Sequence, residues 1–327
     1  MATSLAALRG SRRWMLAALG VLTVSAALDA ATTNRAAAQE PADSAALVEC
    51  HPRAGWPNFL QKANTAGAEV KIGYLGGSIT AQPGWRPKSL AFFQKTFPEA
   101  KFSEINAAIG GTGSDLGVFR LKQDVLDARP DLLFVEFATN DGGAAPEEIH
   151  RCMEGIVRQT WKALPDCDVC FVYTITEAAV APLLEGKFQR SALAMEDVAE
   201  HYGIPTIHMG VEVARLAQAG RLLWKAPLPK TEAEKQASGD KVAFANDGVH
   251  PYPETGHEFY LQSIERSAAL IDAASKTPGP HSPVAPLDPQ NYERAQLVSI
   301  EDATLSPGFS LLDPKAETLG KRFHQRL

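Results

Sequence analysis

Five apolar or β-branched runs, at 70–77, 101–109, 131–139, 168–176 and 204–209, alternate along the chain with stretches whose apolar residues recur at helical spacing. The helical stretches lie near 87–97, 114–128, 146–164 and 188–202, followed by 211–219 and a last one at 254–275. Alternation of this kind specifies a parallel sheet covered on both faces. The predicted fold is therefore α/β, a three-layer α/β/α sandwich around a parallel, flavodoxin-like five-stranded sheet. Local punctuation agrees: Pro146-Glu147-Glu148 puts a proline and two acids in the first turn of a helix, where the missing N–H is harmless and negative charge is favoured.

The pattern also divides the chain. Residues 39–69 are an irregular lead-in whose apolar cluster, Trp56-Pro57-Asn58-Phe59-Leu60, is expected to pack across the main domain at 70–276. Residues 220–245 are rich in Lys, Pro, Glu and Ala without a period, so a surface excursion is expected there. Residues 277–327 read as a linker, Thr277 to Pro283, and a C-terminal extension with one strand-like piece at 295–300.

Composition changes the picture mainly at the N-terminus. At 327 residues and 45% hydrophobic content, one large core with extensions is the economical reading. Ser11-Arg12-Arg13-Trp14 precedes an Ala/Leu/Val-rich run ending near Leu28, and Ala36-Ala37-Ala38 follows. This reads as a twin-arginine export signal over 1–38 with an A-x-A cleavage site, the apolar run being shorter than the roughly 20 residues of a spanning helix. The expected destination is periplasmic or extracellular, with the twin-arginine export machinery as a partner. Cleavage there removes Arg9, Arg12, Arg13, Arg35 and Asp29, taking the formal charge from −6 to −9. So acidic a protein is a poor nucleic-acid binder.

Of the four cysteines, Cys50, Cys152, Cys167 and Cys170, the last two form a CxxC that runs into a strand rather than opening a helix. That argues against a thioredoxin-like redox motif, and no second pair completes a zinc ribbon. Structural cysteines are expected, with any pairing open. The histidines outside the site discussed next show no metal-like grouping, so neither a metal nor a cofactor is expected.

The chemistry concentrates where the run Lys71 to Leu75 stops at Gly76-Gly77 and presents Ser78. Glycines permit a sharp turn that leaves a serine at the carboxyl end of a strand, the edge where open α/β sheets bind ligands. A plain βα turn with Ser78 as N-cap fits the same residues. Far along the chain, Asn246-Asp247-Gly248-Val249-His250-Pro251 sets a carboxylate three residues before an imidazole, so Asp247 can hold the His250 ring from behind. Nucleophile, base and orienting carboxylate are the parts acyl transfer needs.

With two intermediate stretches, the chain resembles the SGNH (GDSL-type) hydrolase family. The four blocks read Gly76-Gly77-Ser78-Ile79, Asn106 to Thr112, Thr139-Asn140-Asp141-Gly142 and Asp247 to His250, in family order over about 70–255. The resemblance implies Ser78 as nucleophile, His250 as base, Asp247 as its partner, and an oxyanion hole made by the Ser78 and Gly111 backbone amides with the Asn140 side chain, Gly110 being a one-residue rival to Gly111. One position departs: the aspartate that usually precedes the serine is Gly77. A conventional α/β-hydrolase is excluded by Thr80 in place of the last glycine of G-x-S-x-G and by an acid and base that share one loop. Trp85, Arg86 and Tyr252 flank the blocks as candidate sugar-binding residues, or as packing for those loops. The expected function is an exported serine esterase acting on short acyl esters, with O-acetyl carbohydrate suggested by the resemblance. A same-family O-acyltransferase and a non-catalytic small-ligand-binding α/β module are the alternatives.

Overall fold

The computed structural model describes residues 47–282, 284–299 and 302–309. The apolar runs become β2 (Glu69–Gly76), β3 (Lys101–Ala108), β4 (Leu132–Glu136), β5 (Asp168–Tyr173) and β6 (Thr206–His208), all parallel to their neighbours in the order β6-β5-β4-β2-β3. Numbered among themselves these strands read 2-1-3-4-5, the flavodoxin-like order. A sixth strand was not legible: β1 (Cys50–His51) joins the far edge antiparallel, with Cys50 opposite Ile207 and His51 opposite Thr206. Two residues carry no periodicity to read.

Every residue of β4 and β5 is buried, as a strand with helices on both faces requires. On one face α4 (Ser114–Asp124), α5 (Pro146–Ala163) and α7 (Arg190–Tyr202) pack Val118, Ile156 and Val198 onto Leu75, Val135 and Phe171. On the other lie α1 (Pro57–Ala63), α3 (Trp85–Thr96), α8 (Val211–Gln218) and α10 (Gly256–Ala274). The side chains alternate accordingly: Tyr74 and Phe134, partners across β2 and β4, stack at 5.6 Å on this second face, where Trp56 and Phe93 meet them edge-on or stacked. The short helix α2 (Ser78–Ala81) follows β2 directly, and α6 (Glu177–Leu184) packs beside α8. Among the described residues no helix is long and apolar enough to cross a membrane.

The surface excursion expected at 220–245 carries regular structure that its sequence did not show. It holds β7 (Leu222–Lys225) and β8 (Val242–Ala245), a separate parallel pair, joined through α9 (Glu232–Ser238). Thr231 accepts from the Glu234 N–H while the Glu234 carboxylate accepts from the Thr231 N–H, a capping box. The helix buries none of its residues, so it has no apolar period to find. Trp224 and Phe244 pack with tilted rings 4.6 Å apart, and Trp224 Nε1 donates to the Gly248 carbonyl at 2.7 Å, which ties this pair to the Asp247 loop.

The C-terminal stretch packs on the domain. His281 stacks on Trp161 at 4.7 Å and reaches Asp168 Oδ1 at 2.7 Å. Leu287 and Asp288 donate backbone N–H groups to Glu154 on α5, and Tyr292 donates its own to the Arg151 carbonyl. No strand forms over 295–299, and Ile300 lies outside the described residues. The expected export signal at 1–38 also lies outside them. The four cysteines are unpaired, and Cys152, Cys167 and Cys170 are buried.

Candidate active site

Strand order reverses at β2, whose neighbours are β3 on one side and β4 on the other. Ligand sites of doubly wound folds form at the carboxyl ends of strands at such a switch point. β2 ends at Gly76, Gly77 turns the chain in an extended conformation, and Ser78 opens α2 with a half-buried side chain.

Into this position comes His250, 172 residues away, with Nε2 2.8 Å from Ser78 Oγ. Its Nδ1 lies 2.6 Å from Asp247 Oδ2. The other carboxylate oxygen, Oδ1, accepts the backbone N–H groups of Val249 and His250 at 2.9 and 2.8 Å, so the loop closes around its own aspartate. Gly248 makes that closure possible at φ 85°, a left-handed conformation that other residues adopt at a cost. The His250 hydrogen bond, joined by those backbone donors, holds the exposed Asp247 carboxyl well below the usual carboxylate range. A carboxylate on Nδ1 selects the tautomer with Nδ1–H, which leaves Nε2 as the acceptor facing the serine hydroxyl.

The second and third blocks arrive on the adjacent strands. Gly110 and Gly111 follow β3, Gly111 at φ 76°, and a Cβ on Gly110 would sit 3.6 Å from the Ser78 Cβ. Asn140 begins a 3₁₀ turn, Asn140–Gly143, beyond β4. Its carboxamide rests against Gly77: a Cβ there would fall 2.1 Å from Asn140 Oδ1. With glycine at 77, the Asn140 carboxamide lies against the backbone of the serine turn itself. Asp141, next in the chain, accepts the Ser114 N–H at the start of α4 at 3.0 Å, and burial pushes its carboxyl up to about 6.

Of the two readings left open for the three candidate substrate residues, packing is the one that burial fits for Trp85 and Arg86. Trp85 is fully buried, edge-on to Tyr74 and Phe134 at 5.4 and 5.8 Å, so it packs the core below the site. Arg86 is buried as well, donating to the Thr80 carbonyl and pairing with Glu104. Both open α3, and an aromatic at a loop–helix junction reads the same whether it faces in or out. Tyr252 is half-buried and spends its hydroxyl on the Ala226 carbonyl at 3.0 Å, a loop-packing role.

Other residues near the site carried no sequence signal. His257 is buried and its Nδ1 accepts the Trp85 N–H at 3.1 Å; burial drives its pKa down to about 3, so the ring stays neutral. Glu136, Thr80, Thr174 and Thr139 form a hydrogen-bonded line beneath Ser78 and Asn140. Beside them a cavity of about 440 Å³ is lined by Gly111, Asn140, Asp115, Asp141 and Glu148 among others. Among the described residues no group of three or more His, Cys, Asp or Glu side chains converges as a metal site would.

A sandwich of this topology, with serine, imidazole and carboxylate meeting at its switch point, has the architecture of an SGNH-type hydrolase. The profile of the GDSL-like Lipase/Acylhydrolase family matches residues 74–259, more than half of the chain, and the chain belongs to that family. A two-domain esterase (CEX) active on acetylated mannans, crystallised with mannopentaose, is similar at TM-score 0.57 and 25% identity, covering 74% of this chain and 60% of that one. This chain thus spans about three fifths of that esterase. A catalytic mutant of Axe2, an acetylxylan esterase from Geobacillus stearothermophilus, is similar at TM-score 0.47 and 15% identity, over 63% of this chain and 96% of that one. LAE5, an α/β hydrolase from the metagenome of Lake Arreo, Spain, gives TM-score 0.49 at 16% identity over 64% and 99%. Curated proteins give no match to this chain.

Proposed function

We propose that the protein is an exported serine esterase that removes short acyl groups, with O-acetylated carbohydrate as the substrate class. The observation that carries this reading is the unbroken line Ser78 Oγ, His250 Nε2, His250 Nδ1, Asp247 Oδ2, at 2.8 and 2.6 Å. In it His250 takes the serine proton as Ser78 attacks the ester carbonyl and returns it to the leaving alcohol, while Asp247 holds the tautomer and stabilises the imidazolium. The Ser78 and Gly111 amides and the Asn140 carboxamide are the donors for the oxyanion, drawn from the ends of three adjacent strands. Water attacks the acyl-serine in the second half with His250 again as base.

Two observations support the substrate class. The esterase similar at 25% identity acts on acetylated mannans. The cavity beside Gly111 and Asn140 includes the accessible carboxylates of Asp115 and Glu148, groups that accept from sugar hydroxyls and are poor company for a long acyl chain. Activity on p-nitrophenyl esters is therefore expected to fall from acetate to octanoate; a rise with chain length would contradict the short-acyl reading. Export rests on the twin-arginine pattern and Ala36-Ala37-Ala38, and mass spectrometry of secreted protein is expected to find an N-terminus near Gln39.

The central test is labelling with a fluorophosphonate probe and mapping the modified peptide. Ser78 is expected to be the sole labelled serine. Labelling at Ser89, Ser103 or Ser114 instead would overturn the assignment. An acyl-donor assay with and without a sugar acceptor separates hydrolysis from transfer, which uses the same residues.

A further inference from the structure

Glu136 ends β4 fully buried directly below the Ser78 turn. Among the described residues its side chain is hydrogen-bonded by two hydroxyls: Thr80 Oγ1 donates to Oε2 at 2.8 Å and Thr174 Oγ1 donates to Oε1 at 2.7 Å. Thr174 has thereby used its one proton, so Thr139, with Oγ1 at 2.7 Å, donates to it. Thr80 sits two residues beyond Ser78 on the four-residue helix α2, and Thr139 immediately precedes Asn140. The four side chains therefore make one continuous line that joins the support of the serine to the support of the asparagine.

A carboxylate buried among hydroxyls is a poor way to stabilise a fold, because neutral donors replace its hydration only in part. Burial accordingly pushes its pKa up to about 7. What the group does supply is direction. Its two oxygens, fixed on a central strand, accept from two different turns and set the distance between them. The packing above is equally close: a Cβ on Gly76 would meet Thr80 Oγ1 at 2.7 Å and the Glu136 carbonyl at 2.9 Å, and one on Gly77 would strike Asn140. The serine turn thus has no side chain of its own at 77 to brace it, and its brace comes from below.

We infer that Glu136, through Thr80 on one oxygen and through Thr174 and Thr139 on the other, is a positioning residue that fixes the Ser78 hydroxyl relative to the Asn140 carboxamide. The inference rests on the proposed roles of Ser78 and Asn140. It assigns Glu136 no contact with substrate.

The test compares four variants of the mature protein by fluorophosphonate labelling rate per folded molecule, kcat, KM and melting temperature. Glu136→Gln keeps the shape but can accept on one atom only; Thr80→Val removes a donor; Thr80→Ser keeps it; Thr139→Val cuts the last link at a partly exposed residue, which guards against core variants that do not fold. The expected result for Glu136→Gln and Thr80→Val is a labelling rate and kcat lower by about 10–100-fold, the scale on which small misplacements act, with KM changed by less than about threefold. Thr139→Val follows in the same direction, and Thr80→Ser stays within about threefold of wild type. A lowered melting temperature with unchanged labelling rate and kcat per folded molecule would mark ordinary packing and overturn the inference alone. Failure of wild-type Ser78 to label would overturn the proposed function as well.

Discussion

Two buried glutamates, one below the candidate site and one at an edge of the sheet, are treated in opposite ways. Glu136, at the carboxyl end of β4, has only hydroxyls for partners, and burial raises its carboxyl to about 7 against their pull, with the nearby Asp141 charge adding to the rise. Glu196, on α7 against the β1–β6 edge, is approached by Arg53 Nη2 at 2.6 Å, His51 Nδ1 at 2.9 Å and the Tyr173 hydroxyl at 2.8 Å. Burial would raise it too, but hydrogen bonds from His51, Thr206 and Arg53 overcome that and bring it to about 2. Where the fold needs a closed edge, the charge is fully answered. Where the site needs two turns held apart, a charge is left short of partners, and stability yields to geometry.

If that contrast holds, substitutions at the site edge lower turnover without lowering stability, while those at the β1–β6 edge lower stability and leave turnover unchanged. The largest effect is expected for Ser78→Ala, a loss of about 10⁶ in kcat, as for other triads deprived of the nucleophile, with no drop in melting temperature. Residual turnover within tenfold of wild type would remove Ser78 from the mechanism. Next, Asn140→Ala should lower kcat roughly 10²–10³-fold with less change in KM, since its amide acts on a charge present only as the tetrahedral intermediate forms. Asn140→Asp should be worse than Ala near neutral pH, because a carboxylate then faces the developing anion, and should partly recover on acidification once the wild-type His250 profile is divided out. Near-wild-type kcat in Asn140→Asp would reduce Asn140 to a turn residue.

At the other edge, Glu196→Gln should cost on the order of 1.5–3 kcal/mol by taking one carboxylate from His51 and Arg53, which keeps Glu200 at 3.0 Å, with kcat per folded molecule unchanged, measured by denaturant melts. Its pH signature follows from a folded value below the ordinary 4.5: the stabilisation is complete above about 4.5 and is lost as pH falls towards about 2. The smallest effect has the opposite sign. Glu136 carries a folded value raised to about 7, so its penalty is absent below about 4.5 and complete above about 7. Glu136→Gln should therefore be more stable than wild type at pH 8, by at most on the order of 3 kcal/mol less the cost of one hydroxyl left without an acceptor, while turning over more slowly. A variant both less stable at pH 8 and slower would erase the contrast between the two glutamates.

Much of the architecture was legible in the sequence because it rests on local periodicity. The five parallel strands and the helices between them fall within a few residues of the expected runs, and the fold class follows from their alternation. The candidate site was legible where its parts are sequence neighbours: Gly76-Gly77-Ser78 is a turn in its own right, and Asp247 and His250 are three residues apart, so the loop alone brings them to 2.6 Å. Trp85 and Arg86 stayed between two readings because a polar or aromatic residue beside a motif block looks the same facing the core or the solvent, and only the packing of α3 against Tyr74, Phe134 and Glu104 turns them inward.

By itself, then, the sequence determined the strand–helix alternation, the family and the candidates for the reacting groups, because each is written in runs or spacings shorter than a single element. Only the tertiary structure decided what lies between distant segments. It pairs β1 with β6 and β7 with β8, elements too short to have a period. It carries His250 across 172 residues to Ser78, and it sets the Asn140 carboxamide against Gly77. It also gathers Thr80, Glu136, Thr139 and Thr174 from the ends of three strands into one buried line. The reason is physical: a hydrogen bond between two turns depends on the register of the strands beneath them, and that register exists only once the sheet has formed.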